Sequence, residues 1–257
     1  MVENISESVE KKAGAPLVKV EGLFKSFNGI EAVKGLNMTV NRGDLVGFMG
    51  PNGAGKSTTM RLLTGFLAAD KGYIEVNHHD ITKNLRKAQA SFGYLPEQGG
   101  TFGHLTVKEY LTFLARSYGV SDIAESLRVA TDMTRCNRVL HRPMETLSKG
   151  QRQRVFFAGA ILHDPSVLIL DEPTDGLDPN QKHEMRLVLK ELAKHKAVIV
   201  STHILEEAEA ICNRVVIINH GRIVADTTPE ELKRQGNGDI QVAFRILTTN
   251  KHYGKGD

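Results

Sequence analysis

The chain has 257 residues, 40% of them hydrophobic and 25% charged, with a formal net charge of +3. That is ordinary globular composition, and the charge is too small to argue for a nucleic-acid partner without a local basic stripe, so none is expected. No apolar run approaches the roughly 20 residues needed to cross a bilayer, so the chain is not expected to enter a membrane itself.

The opening stretch, MVENISESVEKKAGAP, is polar, lacks an apolar secretion signal and reads as a flexible tail over residues 1–16. Short strand-like runs follow at 17–23, 35–40 and 44–50, the last apolar and ending at Gly50. KSTTMRLLTGFL then has helical spacing, with Met60, Leu63, Phe66 and Leu67 on one side. From about 101 to 164 the pattern is helical. Thr106 and Glu109 form a capping box, Val107, Tyr110, Leu111, Leu114 and Tyr118 make an apolar stripe, and Gly119 closes it. Strands return at 166–170 and 197–202, both apolar enough to be buried on two faces. Amphipathic helices are expected over 181–195 and 204–213, a hairpin over 214–226, and a helix capped by Thr228 with Pro229 at its first position. The stretch 236–257 reads as one strand and a disordered tail. Cys136 and Cys212 fit neither a metal spacing nor a disulfide framework, and read as free thiols of a reducing cytosol.

GPNGAGKST, residues 50–58, satisfies the phosphate-loop pattern through Gly50, Gly55, Lys56 and Ser57. Strand, glycine loop and helix stand in the required order. Glycines let backbone N–H groups close on phosphate oxygens, the helix start adds its positive end, and Asn52, Gly53, Ala54 and Thr58 complete the cradle. Lys56 is placed for the β- and γ-phosphates of ATP, and Ser57 for Mg²⁺. Asp171 directly follows the buried strand at 166–170, at the sheet edge where ligands gather, and is the expected holder of Mg²⁺. Glu172 is the candidate to deprotonate an attacking water. His203 follows the next buried strand and can hold that water or a phosphate oxygen.

ETLSKGQRQR, residues 145–154, is a polar, glycine-bearing helix start ahead of an apolar stretch. Ser148 can cap it and Gly150 allows close approach, which makes a second phosphate-seeking helix start.

Over about residues 17–235 the chain resembles the nucleotide-binding subunits of ATP-binding cassette (ABC) transporters. GPNGAGKST resembles their Walker A motif, VLILDEP their Walker B motif with Glu172 catalytic, TDGLD (174–178) their D-loop and His203 their switch histidine. LSKGQ (147–151) resembles the signature sequence that separates this family from other phosphate-loop ATPases. The resemblance implies an α/β fold: a P-loop NTPase core of mostly parallel sheet, an N-terminal antiparallel β part, and a helical insert at about 99–164. It implies that two copies face head to tail, each ATP lying between one chain's phosphate loop and Ser148, Gly150, Gln151 and Asp178 of the other. It further implies a separate membrane permease of the ABC-2 exporter type, and a cytoplasmic chain held peripherally on the inner face of the plasma membrane. Three positions depart from the usual pattern. Lys149 stands where glycine is usual and brings charge near the phosphate. Glu97 occupies the place of the loop glutamine that binds Mg²⁺, with Gln98 the alternative if the loop shifts by one. Phe27 stands for the adenine-stacking tyrosine, its alternative being a core phenylalanine.

Overall fold

The computed structural model describes residues 14–97, 99–100 and 102–249. Glycine-rich turns cut the N-terminal part into antiparallel strands β1 (Val18–Phe27), β2 (Ile30–Val40), β4 (Lys71–Val76) and β5 (His79–Asp80), ordered β2-β1-β4-β5. The second sheet joins β3 (Leu45–Met49), β6 (Phe92–Leu95), β7 (Val167–Asp171), β8 (Ala197–Ser201), β9 (Arg214–Asn219) and β10 (Arg222–Thr227) in the order β10-β9-β3-β8-β7-β6. All its neighbouring pairs are parallel except the β9–β10 hairpin.

β3, β7 and β8 are buried at every residue, as their unbroken apolar runs require of strands covered on both faces. The period of two divides their side chains between two cores. Val46, Phe48, Val167, Ile169 and Ile199 pack towards the antiparallel sheet and helix α1 (Lys56–Leu63). Leu45, Met49, Leu168, Leu170 and Val200 pack on the opposite face. That second core also holds α3 (Val107–Ser117), α4 (Ile123–Met133), α5 (Lys149–Ile161) and α6 (Pro179–Ala193). Each fully buried Leu, Ile or Phe of this sheet stabilises the fold by about 1.5–3 kcal/mol.

Thr106 caps α3 in a complete capping box, and Gly119 follows its end with φ 69°. α1 is shorter than its sequence pattern suggests. Gly65, at φ 69°, turns the chain away, and Phe66 is 75% exposed rather than part of the helix's apolar side. Helix α2 (Leu85–Ser91) and strands β4 and β6 lie in stretches to which the sequence pattern assigns no element. After α7 (Leu205–Ile211) and α8 (Pro229–Gln235), the expected strand beyond 236 is instead helix α9 (Ile240–Thr249). Ile240, Ala243, Phe244 and Leu247 recur at helical spacing and join the second core. The expected tail at 1–16 falls largely outside the described residues, and so do Gln98 and the end of the chain from 250. No described helix is long and apolar enough to cross a membrane.

Candidate functional site

The parallel register sets three strand ends side by side. Asp171 lies opposite Ser201, and Ser201 opposite Phe48, one residue before β3 ends and the glycine loop begins. A cleft of about 230 Å³ opens at this edge, lined among others by Asn52, Gly55, Lys56, Ser57, Asp171 and Glu172. Thr58, Ser201 and Glu97 also face it.

Close packing dictates the loop's glycines. A Cβ on Gly50 would stand 2.2 Å from the Ile218 carbonyl, and one on Gly55 would stand 2.5 Å from the Ala32 carbonyl. Gly55 also sits at φ 108° as the cap of α1 and offers no side chain to the helix's first N–H groups. Those donors therefore stay available to an anion. Ala54 is buried beneath the loop, and its carbonyl accepts from the Gly221 N–H. Lys56 is 8% exposed, and its ammonium donates to the Gly50 and Pro51 carbonyls at 2.7 and 3.1 Å. Burial pushes its pKa down from the ordinary lysine value, against the opposing pull of Glu172, Asp171 and Glu97. A buried ammonium held only by neutral carbonyls and nearby carboxylates is placed to exchange them for phosphate oxygens.

Opposite the loop, Glu172 adopts a left-handed backbone at φ 49°, which swings its side chain off the strand direction. Its N–H donates to the Ser201 carbonyl and its own carbonyl accepts from Gln153 Nε2 at 3.1 Å, so both neighbours fix the strained residue. Glu172 Oε1 lies 2.8 Å from His203 Nδ1. Burial pushes the Glu172 carboxyl up from its ordinary value, while the His203 contact and the Lys56 charge pull it down. A carboxylate of raised basicity beside an imidazole can accept a proton from water.

Asp171 is 3% exposed, and its Oδ1 is buried without a hydrogen-bond partner. So is the hydroxyl of Ser201 at the same level of the sheet. Uncompensated oxygens in the cleft that Ser57 also lines fit a hard divalent cation with its water. Among the described residues no group of three or more His, Cys, Asp or Glu is placed to hold a metal ion by itself.

A sequence profile for the family described as ABC transporter matches residues 33–175. YxlF of Bacillus subtilis (strain 168), an uncharacterized ABC transporter ATP-binding protein, is 36% identical over 227 residues, which cover 87% of this chain and 75% of that protein. The chain belongs to the ABC transporter ATP-binding family. YbhF of Escherichia coli (strain K12), a probable multidrug ABC transporter ATP-binding protein, is 32% identical over 92% of this chain; the match spans 41% of YbhF's length. A solved structure of an ATP binding subunit of an ABC transporter superposes with a TM-score of 0.83 at 30% identity, covering 90% of this chain and 99% of the other. The chain is thus an ATP-binding subunit of an ABC transporter, and an ATPase.

In this ABC subunit the remaining candidate residues do not line that cleft. Ser148 caps α5 with a complete capping box: its Oγ accepts from the Gln151 N–H, and Gln151 Oε1 accepts from the Ser148 N–H. Part of the donor cluster expected to be open at this helix start is therefore satisfied within the chain. Gly150 has an internal reason as well, since a Cβ there would lie 3.1 Å from the Gly176 carbonyl and 2.8 Å from Gln181 Oε1. Lys149 does not project a bare charge; its ammonium pairs with Asp175 at 2.7 Å, and its stem lies against Gly176. Asp178 is the N-cap of α6 and accepts from the Gln181 N–H. Phe27 is 46% exposed, which removes the core alternative, and Lys25 Nζ sits 5.6 Å from its ring centre. Sequence reasoning missed Gln153, which holds the Glu172 backbone from α5, and Ser201. The signal for Ser201 was a hydroxyl closing an apolar strand, and the register sets it opposite Asp171.

Proposed function

We propose that the chain binds Mg²⁺–ATP between its glycine loop and β7, hydrolyses it in a head-to-tail pair of copies, and thereby powers export through a separate membrane permease of the ABC-2 type. The observation that carries the chemistry is the Glu172–His203 contact at 2.8 Å facing the Lys56 cleft. In this scheme Lys56 and the open N–H groups of α1 grip the β- and γ-phosphates, and Phe27 offers its exposed face to adenine. Asp171 and Ser57, with Glu97, would hold the cation, which neutralises charge on the phosphate oxygens. Glu172 takes a proton from a water as its oxygen attacks the γ-phosphorus; the bond to the β–γ bridging oxygen breaks and ADP leaves. His203 holds Glu172 and that water in line.

The copy opposite supplies Ser148, Gly150, Gln151 and Asp178 to the same nucleotide. Gly150 approaches Gln181, the partner of the Asp178 cap, and none of the four lines the chain's own cleft, which supports this. Transport is supported by the relative described as a probable multidrug ABC transporter ATP-binding protein; export, the permease and a peripheral place on the cytoplasmic face of the plasma membrane belong to the same proposal.

Glu172→Gln tests the chemistry. It is expected to keep ATP affinity and to lower kcat by at least about 100-fold, the usual share of a general base. Turnover within tenfold of the parent in a phosphate-release assay would overturn the assignment.

A further inference from the structure

One buried charge takes no part in the site described above. Glu207, in α7, is 3% exposed, and its carboxylate is split between two tasks. Oε1 faces cations of α6, Lys182 Nζ at 3.0 Å and Arg186 Nη2 at 3.5 Å. Oε2 faces two hydroxyls, Thr174 Oγ1 at 2.6 Å and Thr202 Oγ1 at 3.4 Å. Both threonines are almost fully buried, at 3% and 1% exposure.

The two hydroxyls belong to the two loops that carry the chemistry. Thr174 lies two residues beyond Glu172, at the start of TDGLD, and Thr202 immediately precedes His203. Thr202 is tied again on the far side of His203, because its Oγ1 accepts from the Ile204 N–H at 3.1 Å. The backbone on both sides of the histidine is thus referred to one hydroxyl, and that hydroxyl to Glu207. The loop after Glu172 is referred to the same oxygen.

We propose that Glu207 is a positioning residue: it locks the loop carrying Glu172 and Asp178 to the loop carrying His203, so that the two move as one unit. An ion pair buried for stability alone could be replaced by apolar side chains at little cost. Fixing one oxygen between two catalytic loops is a task that apolar packing does not perform. The cations of α6 aim the carboxylate, and Asp178 starts that same helix. A displacement at Asp178 therefore reaches His203 through one helix and one carboxylate. This inference rests on the roles proposed for Glu172 and His203.

The experiment compares steady-state hydrolysis, ATP binding and thermal midpoints of Thr174→Val, Thr174→Ser, Thr202→Val and the Val–Val double variant, with Glu172→Gln alongside. Thr174→Val keeps the buried shape and loses only the hydroxyl. It is expected to lower kcat about tenfold while KM and ATP affinity stay within about twofold. Thr174→Ser, which restores the hydroxyl, should return kcat to within about twofold of the parent. Because both threonines act through one carboxylate, the double variant should lose less than the product of the two single losses. Parent-like kcat in Thr174→Val, a serine variant as slow as the valine, or fully multiplicative losses would each overturn the inference. A dead Glu172→Gln beside an active Thr174→Val sinks this inference alone; an active Glu172→Gln sinks the proposed chemistry beneath it.

Discussion

Two helix starts in this chain look alike in sequence and differ in structure. Both are polar, contain glycine and precede buried residues. At α1 the cap is Gly55, no side chain answers the first N–H groups, and a buried Lys56 stands beside a cleft. At α5 the cap is Ser148, the capping box is closed, and Lys149 is neutralised by Asp175. The first is a built half-site with unspent donors. The second is partly satisfied within the chain. In the proposed scheme the open cap grips the ligand and the closed one covers it.

Substitutions at the two starts should separate these roles, and the largest effect is expected at α5. Ser148→Arg places bulk and charge on the covering surface. It should lower kcat by about 100-fold or more, the scale of losing a preorganised transition-state contact, while ATP affinity of the single chain stays within about twofold. A parallel loss of affinity would merge the two regions and break the comparison. Lys56→Ala should do the reverse, weakening ATP binding about 10- to 100-fold by removing a charge-assisted contact of about 1.5–3 kcal/mol; calorimetry on the single chain reads it directly. The smallest effect is expected from Lys149→Ala. Its exposed pair with Asp175 should contribute no more than about 1 kcal/mol to stability, and loss of the lysine should leave nucleotide affinity unchanged in the same titration.

Acid and base sharpen the contrast further. Burial raises the Glu172 pKa above its unfolded value, so the folded state gains most from this group when it is protonated. That gain is present below the unfolded pKa and is lost as pH rises through the folded one. Glu172→Gln should therefore unfold at a higher temperature than the parent near neutral pH, with the difference shrinking in acid. A lower midpoint for the variant at neutral pH would show that the strained residue is stabilised rather than penalised by its site.

Much of this site was legible because its chemistry is local. Phosphate binding needs a strand, a glycine loop and a helix in immediate succession, and each leaves a mark on neighbouring residues. Asp171, Glu172 and His203 could be placed because an apolar strand fixes where its last residue emerges. What escaped depends on contacts distant in sequence. Gln153 touches Glu172 across nineteen positions, and Thr174 meets Glu207 across thirty-three; no periodicity records such partners. Helix α9 was misjudged for another reason. DIQVAFRIL contains β-branched residues that suit a strand, yet its apolar residues fall at three- and four-residue steps and pack against the second core. The Lys149–Asp175 pair was not legible because Asp175 lies on a neighbouring loop, twenty-six positions away.

The claim on which the rest depends is that each nucleotide is closed in by two copies of the chain. Mass and bound nucleotide, measured together on Glu172→Gln with ATP and Mg²⁺, test it most directly. The expected species is a pair of chains retaining one ATP each, and adding Ser148→Arg should return it to single chains that still hold ATP. A Glu172→Gln chain that binds ATP yet stays single, or a pair that survives Ser148→Arg, would contradict the account.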